Sequence, residues 1–156
     1  MTIRHAEEKD IPKIIQLLSE VLEIHAAIRP DIFRPGTTKY TPEALRAILC
    51  DETTPVFVAA DETDCVLGYA FCRLLTQPQG GHMVPFTSLF IDDLCVEEAS
   101  RGRHLGEALF THVLEEARRL GCYEVTLNVW EGNDGARRFY EKMGMKPKET
   151  QMERIL

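Results

Sequence analysis

Residues 94–108 read LCVEEASRGRHLGEA, and residues 133–145 read NDGARRFYEKMGM. In the first stretch an apolar strand ending near Val96 runs through a short turn into a helix. The first turn of that helix is expected to hold Arg101, Gly102 and Gly106. This pattern makes an anion site. The first helical N–H groups have no internal acceptor, the helix dipole adds positive potential, and glycine lets a ligand approach the backbone. Arg101 and Arg103 add cationic charge, so a pyrophosphate is the natural guest. An ordinary helix start with surface arginines would read the same way. The second stretch is a short helix ended by Gly144, with Phe139 and Tyr140 on adjacent positions. A phenol at a helix end beside a cleft can donate a proton at neutral pH, because its unperturbed pKa is about 10. Phe139 reads as a core residue.

Working outward, Thr2–Ala6 reads as a strand, and about Lys9–Ala27 as a helix with Ile11, Ile14, Ile15, Leu18, Val21 and Leu22 on one face. Asp10 is expected to cap it. Arg29–Tyr40 reads as a loop. Thr41-Pro42 opens a helix to about Leu49, with Thr as cap and Pro at the first helical position. Pro55–Ala60 and Val66–Leu75 read as strands joined by Asp61–Asp64, and Gln77–Pro85 as a loop. Thr87–Val96 is the next strand, followed by the turn and helix to about Leu120 with Gly121 as C-cap. Glu124–Trp130 is a strand, and Lys148–Ile155, which alternates loosely, is expected to be the last one. The order is β-α-α-β-β-β-α-β-α-β, a mixed α/β (α+β) domain over residues 1–156. A meander is expected beside a β-α-β unit.

Composition narrows the function classes. A length of 156 residues with 44% hydrophobic content suits one soluble domain. No apolar run approaches the roughly 20 residues needed to span a bilayer. The opening residues lack the apolar stretch of a signal peptide. A cytoplasmic protein without membrane association is expected. The net charge of −7 and the lack of a basic stripe argue against nucleic-acid binding. An acidic surface favours a cationic substrate only weakly. Five cysteines, widely spaced and without a CxxC pair, argue against a disulfide framework and a metal site. Cys72 and Cys95 sit in apolar runs and read as buried thiols. A P-loop would need GxxxxGK[ST], which is absent. A Rossmann fingerprint would need GxGxxG near the first strand.

RGRHLG at 101–106 resembles the Q/R-x-x-G-x-G/A signature of the GNAT acetyltransferase superfamily. NDGARRFYEKMGM resembles that superfamily's N-x-x-A-x-x-F-Y-x-x-x-G-F signature, and IRHAEEKDIPKI at 3–14 resembles its usual first strand and helix. The resemblance implies a GNAT fold, a mixed central sheet flanked by helices, with two parallel strands splaying apart to hold acetyl-CoA as co-substrate. It implies that backbone groups of Leu94, Cys95 and Val96 bond the pantetheine arm. The pyrophosphate would lie on Arg101, Gly102, Arg103, His104, Leu105, Gly106 and Glu107. Asn133 would be a further contact, and Tyr140 would protonate the departing thiolate.

Two positions depart from the pattern. His104 stands where the phosphate loop usually has glycine, tolerable if its dihedrals are helical and its imidazole turns outward. Met145 replaces a Phe, a packing change. The strand FIDDLCV at 90–96 carries adjacent carboxylates, which alternation sends to opposite faces. Polyamine acetyltransferases of the superfamily carry an acid at the Asp92 position, so Asp92 is the preferred base and Asp93 the second. The segment His25–Arg34 with Tyr40 corresponds to one wall of the acceptor site in such enzymes, where His25, Arg29 and Asp31 could touch substrate. The implied reaction is acetyl transfer to a primary amine of a small molecule, by direct attack in a ternary complex. A protein N-terminus or lysine is the alternative acceptor. A CoA-binding regulatory module without turnover is the alternative of another class. The resemblance also makes a homodimer a fair expectation.

Overall fold

The computed structural model describes residues 1–76 and 81–156. Residues 77–80 of the expected Gln77–Pro85 loop lie outside them. Five strands, β1 (Thr2–His5), β2 (Val56–Ala60), β3 (Val66–Thr76), β4 (Thr87–Val96) and β5 (Glu124–Leu127), form one sheet in that order. Neighbours are antiparallel except β4 and β5, which are parallel. Helices α1 (Ile11–Ile28) and α2 (Pro42–Leu49) cover one face, and α3 (Leu105–Arg119) with α4 (Asp134–Lys142) covers the other.

Local sequence accounts for each element. Ile11, Ile14, Leu17 and Leu18 recur at helical spacing and are buried in α1. Leu105, Leu109, Phe110, Val113 and Ala117 do the same in α3. In β2 the alternation feeds both cores: Val56 and Val58 join the α1/α2 core, whereas Phe57 and Ala59 join the α3 core. Thr41 caps α2, accepting from the Ala44 N–H at 3.1 Å. Gly121 ends α3 at φ +72° and Gly144 follows α4 at φ +89°, left-handed positions that favour glycine.

Four expectations are corrected. Asp10 makes no cap bond to α1. Its carboxylate instead accepts from the Glu7 N–H at 2.8 Å and pairs with Arg4 at 2.7 Å, closing the single 3-10 turn Glu8–Asp10 before the helix. β5 stops at Leu127 rather than Trp130. The helix after β4 starts at Leu105, so Arg101 and Gly102 lie in the turn before it. The expected strand at Lys148–Ile155 does not form: residues 145–156 carry no regular structure. Alternation marks a segment that can be a strand, but a strand forms only where its backbone groups bond a neighbour, and among the described residues these bond none.

The register of β4 departs from plain alternation. Phe71 pairs with Asp93, but the next residue, Cys72, pairs with Ile91. Asp92 is therefore the extra residue of a β-bulge. The bulge inverts the facing of the residues beyond it. Leu89 and Ile91 enter the α3 core, whereas Cys95 enters the α1/α2 core.

Candidate active site

Parallel pairing of β4 and β5 covers only Ser88–Ile91 against Glu124–Leu127. β4 continues to Val96 bonded to β3 alone. The two strands thus part at Asp92, and the backbone of Leu94, Cys95 and Val96 turns an unpaired edge to the gap. Gly68 lies opposite Val96, and a Cβ on it would stand 2.6 Å from the Cys95 carbonyl oxygen. Only glycine lets β3 approach this end of β4. No spacing rule marked Gly68.

Past Val96 comes a single 3-10 turn (Glu98–Ser100), then the loop to α3. Gly102 has φ +78° and His104 φ +59°. The helical dihedrals that would make a Cβ tolerable at His104 are not met: it is left-handed, a conformation that costs roughly 1–2 kcal/mol for a residue with a Cβ. Its imidazole does turn outward, 3.2 Å from Glu107. Among the described residues the six backbone N–H groups from Gly102 to Glu107 have no protein acceptor. Left-handed turns that aim successive N–H groups one way make an anion-binding concavity, here continued by a helix N-terminus. A diphosphate fits this donor set. Arg101 sends its Nε back to the Val96 carbonyl at 3.4 Å, and Arg103 lines a shallow cavity of about 540 Å³ with Asp61, Glu62 and Leu105. The Leu105 side chain is buried, and that of Glu107 bonds Lys142 at 2.6 Å, so both offer the loop only their N–H groups. Gly106 packs α3 against its neighbours: a Cβ there would stand 3.4 Å from the Phe139 ring and 3.8 Å from Val96.

Beyond the bulge, both carboxylates find partners from the α1/α2 side, so the expected opposite facing does not hold. Asp92 accepts from the Tyr40 hydroxyl at 2.6 Å and pairs with Lys39 at 2.8 Å and Arg73 at 3.4 Å. Burial alone would raise its pKa, but the bonds from Lys39 and Tyr40 hold it below the ordinary carboxylate range. Asp93 accepts from the Tyr69 hydroxyl at 2.9 Å. Burial pushes its pKa up to about 6, against the Tyr69 bond and Lys39, which pull it down. Lys39, Tyr69 and Arg73 went unread in the sequence, since each pairing spans separate elements.

Tyr140 packs on Phe110 and Phe139. Among the described residues its hydroxyl has no hydrogen-bond partner. Burial, then the charge of Asp93, raises its pKa, so the phenol keeps its proton. Asn133 caps α4, its Oδ1 accepting from the Ala136 N–H at 3.4 Å, which is a structural use of that side chain. Cys72 and Cys95 are buried, and burial lifts each thiol to about 12, which leaves no nucleophilic thiolate there. The His25–Arg34 wall is held by side-chain contacts. His25 lies against Phe33, Phe33 meets Trp130 edge-on, and Arg29 bonds Asp31 at 2.7 Å.

A family model described as the acetyltransferase (GNAT) family matches residues 18–145. The chain belongs to this family. The acetyltransferase is similar to glucosamine 6-phosphate N-acetyltransferase of Trypanosoma brucei brucei, with 26% identity over 97% of this chain and 93% of that one. It is also similar to thialysine N-epsilon-acetyltransferase of Bos taurus, with 26% identity over 91% of this chain and 82% of that one. Among solved structures, a mutant of the BH1408 protein of Bacillus halodurans superposes with a TM-score of 0.96 at 30% identity, covering 100% of this chain and 99% of that one. The protein is an acetyl-CoA-dependent acetyltransferase of the GNAT fold. No helix among the described residues is long and apolar enough to cross a membrane.

Proposed function

We propose that this acetyltransferase moves the acetyl group directly from acetyl-CoA to an amine that also carries an anionic group, with Asp93 as general base and Tyr140 as general acid. Acetyl-CoA supplies an activated thioester. The N–H groups of Gly102 to Glu107 bind its diphosphate, and the free edge of Leu94–Val96 bonds its pantetheine arm. The thioester then lies in the gap where β4 and β5 part. An amine arrives as an ammonium and must lose a proton before it can attack. Asp93 is suited to take that proton, because a base whose pKa is about 6 is ionised at neutral pH yet basic enough to hold a proton. Asp92 is a poorer base, held ionised by Lys39 and Tyr40. Tyr140 keeps its proton until the sulfur departs.

The observation that carries the acceptor class is the Asp92 cluster. Lys39 and Arg73 both flank one carboxylate beside the base, and each is about half exposed. One anion holding two cations leaves them free to meet a second. Two similar enzymes, an amino sugar phosphate acetyltransferase and a thialysine acetyltransferase, bear names that agree with an acceptor of that kind. The burial of Asp93 supports a small molecule over a peptide.

The test measures thiol release from acetyl-CoA with paired acceptors: glucosamine 6-phosphate against glucosamine, and thialysine against its decarboxylated diamine. The anionic member of at least one pair should have the higher kcat/KM, and Lys39→Ala with Arg73→Ala should erase that preference. Equal or better use of polyamines by the wild type would refute the proposed acceptor class.

A further inference from the structure

Asp93 is held by a single neutral donor. Its Oδ2 accepts from the Tyr69 hydroxyl at 2.9 Å. The Leu94 N–H stands near the carboxylate and draws its pKa down. Among the described residues, however, Oδ1 completes no hydrogen bond, and it is not closed off from solvent. The sheet sets this geometry. Phe71 lies opposite Asp93 and Tyr69 opposite Cys95 in the β3–β4 ladder. Tyr69 is therefore the diagonal neighbour of Asp93, within reach of a long side chain. The Tyr69 side chain is fully buried, and its ring meets Phe71 edge-on with centroids 5.0 Å apart. A ring packed in this way leaves its hydroxyl little freedom to follow a carboxylate that turns. Phe71 also packs on Tyr40 at 5.4 Å, and Tyr40 donates to Asp92. Each carboxylate thus has a phenol of its own. They differ in what else they hold. Asp92 also pairs with Lys39 and Arg73, whereas Asp93 makes no ion pair among the described residues.

We propose that Tyr69 is a positioning residue for the base: its hydroxyl ties down Oδ2 of Asp93 and leaves Oδ1 to receive the proton of the arriving ammonium. This rests on the reading of Asp93 as the base. A base must be both placed and basic. A lysine or arginine at the phenol's position would place the carboxylate but hold it ionised, as Lys39 and Tyr40 hold Asp92. An apolar residue would leave it basic and free to turn. A neutral donor places it with a smaller loss of basicity. In the transfer an N–H bond of the ammonium breaks and Oδ1 takes the proton. The electron pair stays on nitrogen for attack on the thioester carbonyl. The carboxyl becomes neutral, and the Tyr69 bond changes from charge-assisted to ordinary. Loss of the hydroxyl therefore disfavours the ionised form more than the protonated one and raises the pKa. Other groups also face Asp93. Lys39, from the loop before α2, lowers its pKa, and Asp92, in its own strand, raises it. Tyr40, Cys95 and Tyr140 feel its charge, and all three keep their protons well above neutral pH. His25 is held below its ordinary value by burial and then by Lys39, so a rate profile can carry its titration as well.

Carbon-13 NMR of the Asp93 carboxyl, assigned by its loss in Asp93→Asn, separates these titrations. The wild type should titrate near pH 6, and Tyr69→Phe, which keeps the ring, at a clearly higher pH. With the better acceptor of glucosamine 6-phosphate and thialysine, kcat/KM of Tyr69→Phe should fall by about tenfold or more near pH 6 and by much less above about pH 8. Acetyl-CoA affinity by calorimetry should not change. A fluorine placed beside the Tyr69 hydroxyl keeps the bond and makes the phenol a stronger donor, so that carboxyl should titrate below the wild type. This variant decides the matter if the phenylalanine variant does not fold. A hydroxyl that serves the fold alone would lower the melting temperature and leave both the carboxyl titration and the pH profile as in the wild type, which would overturn the proposal. An Asp93→Asn variant that keeps the wild-type acid limb would overturn Asp93 as the base, whatever Tyr69 does.

Discussion

Asp93 is a carboxylate whose burial works against the fold and, on the proposed mechanism, for the reaction. With its pKa near 6 in the folded protein and near 3.8 in the unfolded chain, the native state binds more protons between those values. Stability therefore falls as pH rises from about 4 to about 6, and is level above. Asp93→Asn keeps the shape and can still accept from Tyr69. It should raise stability at pH 7.5 by on the order of 2–3 kcal/mol, read from chemical denaturation. It should lower kcat by about 10²-fold or more and abolish the rise in rate through pH 6. An active variant with an unchanged acid limb would pass the role of base to another group. Tyr140→Phe removes a hydroxyl that bonds no described residue, so melting should be unchanged while kcat drops by about 10²–10⁴-fold. A purely structural tyrosine would lose stability and keep its turnover. Both aspartates were visible as candidates in the strand FIDDLCV. Their facing was not, because alternation assumes an unbroken ladder and the bulge at Asp92 breaks it. The partners Tyr69, Lys39 and Arg73 come from elements far apart in sequence and had no local signal.

At the scale of elements, periodicity and turn signals placed four helices and five strands within a few residues, because most of them bury a face in one of the two cores. Thr87–Val96 matched at both ends. The loop before α3 was marked as an anion-site candidate by RGRHLG, but the left-handed backbone of His104 had no local signal, since residues with a Cβ rarely adopt it. The segment after Gly144 had the alternation of a strand but, among the described residues, bonds no neighbouring strand. Gly68 offers the sharpest element-scale test. Gly68→Ala places a Cβ 2.6 Å from the Cys95 carbonyl oxygen, so β3 and the end of β4 must move apart. The expected cost is about 1–3 kcal/mol, or a drop of several degrees in Tm, with weaker acetyl-CoA binding by calorimetry. Unchanged affinity in a folded variant would separate the end of β4 from the pantetheine site.

For the whole molecule, the sheet splits where its two parallel strands part, and the two faces of the split carry different tasks. On the proposed mechanism the α3 side supplies N–H groups for a diphosphate, and the α1/α2 side supplies carboxylates for an amine. Cys72 and Cys95, the buried thiols in these cores, are too weakly acidic to form an acetyl-enzyme. On the proposed mechanism of direct attack, transfer waits until both substrates are bound. Rapid-mixing measurement of thiol release from acetyl-CoA, with and without an accepted amine, tests this most directly. The account predicts no release without amine and steady release once amine is present. A stoichiometric burst of thiol in the absence of amine would contradict it.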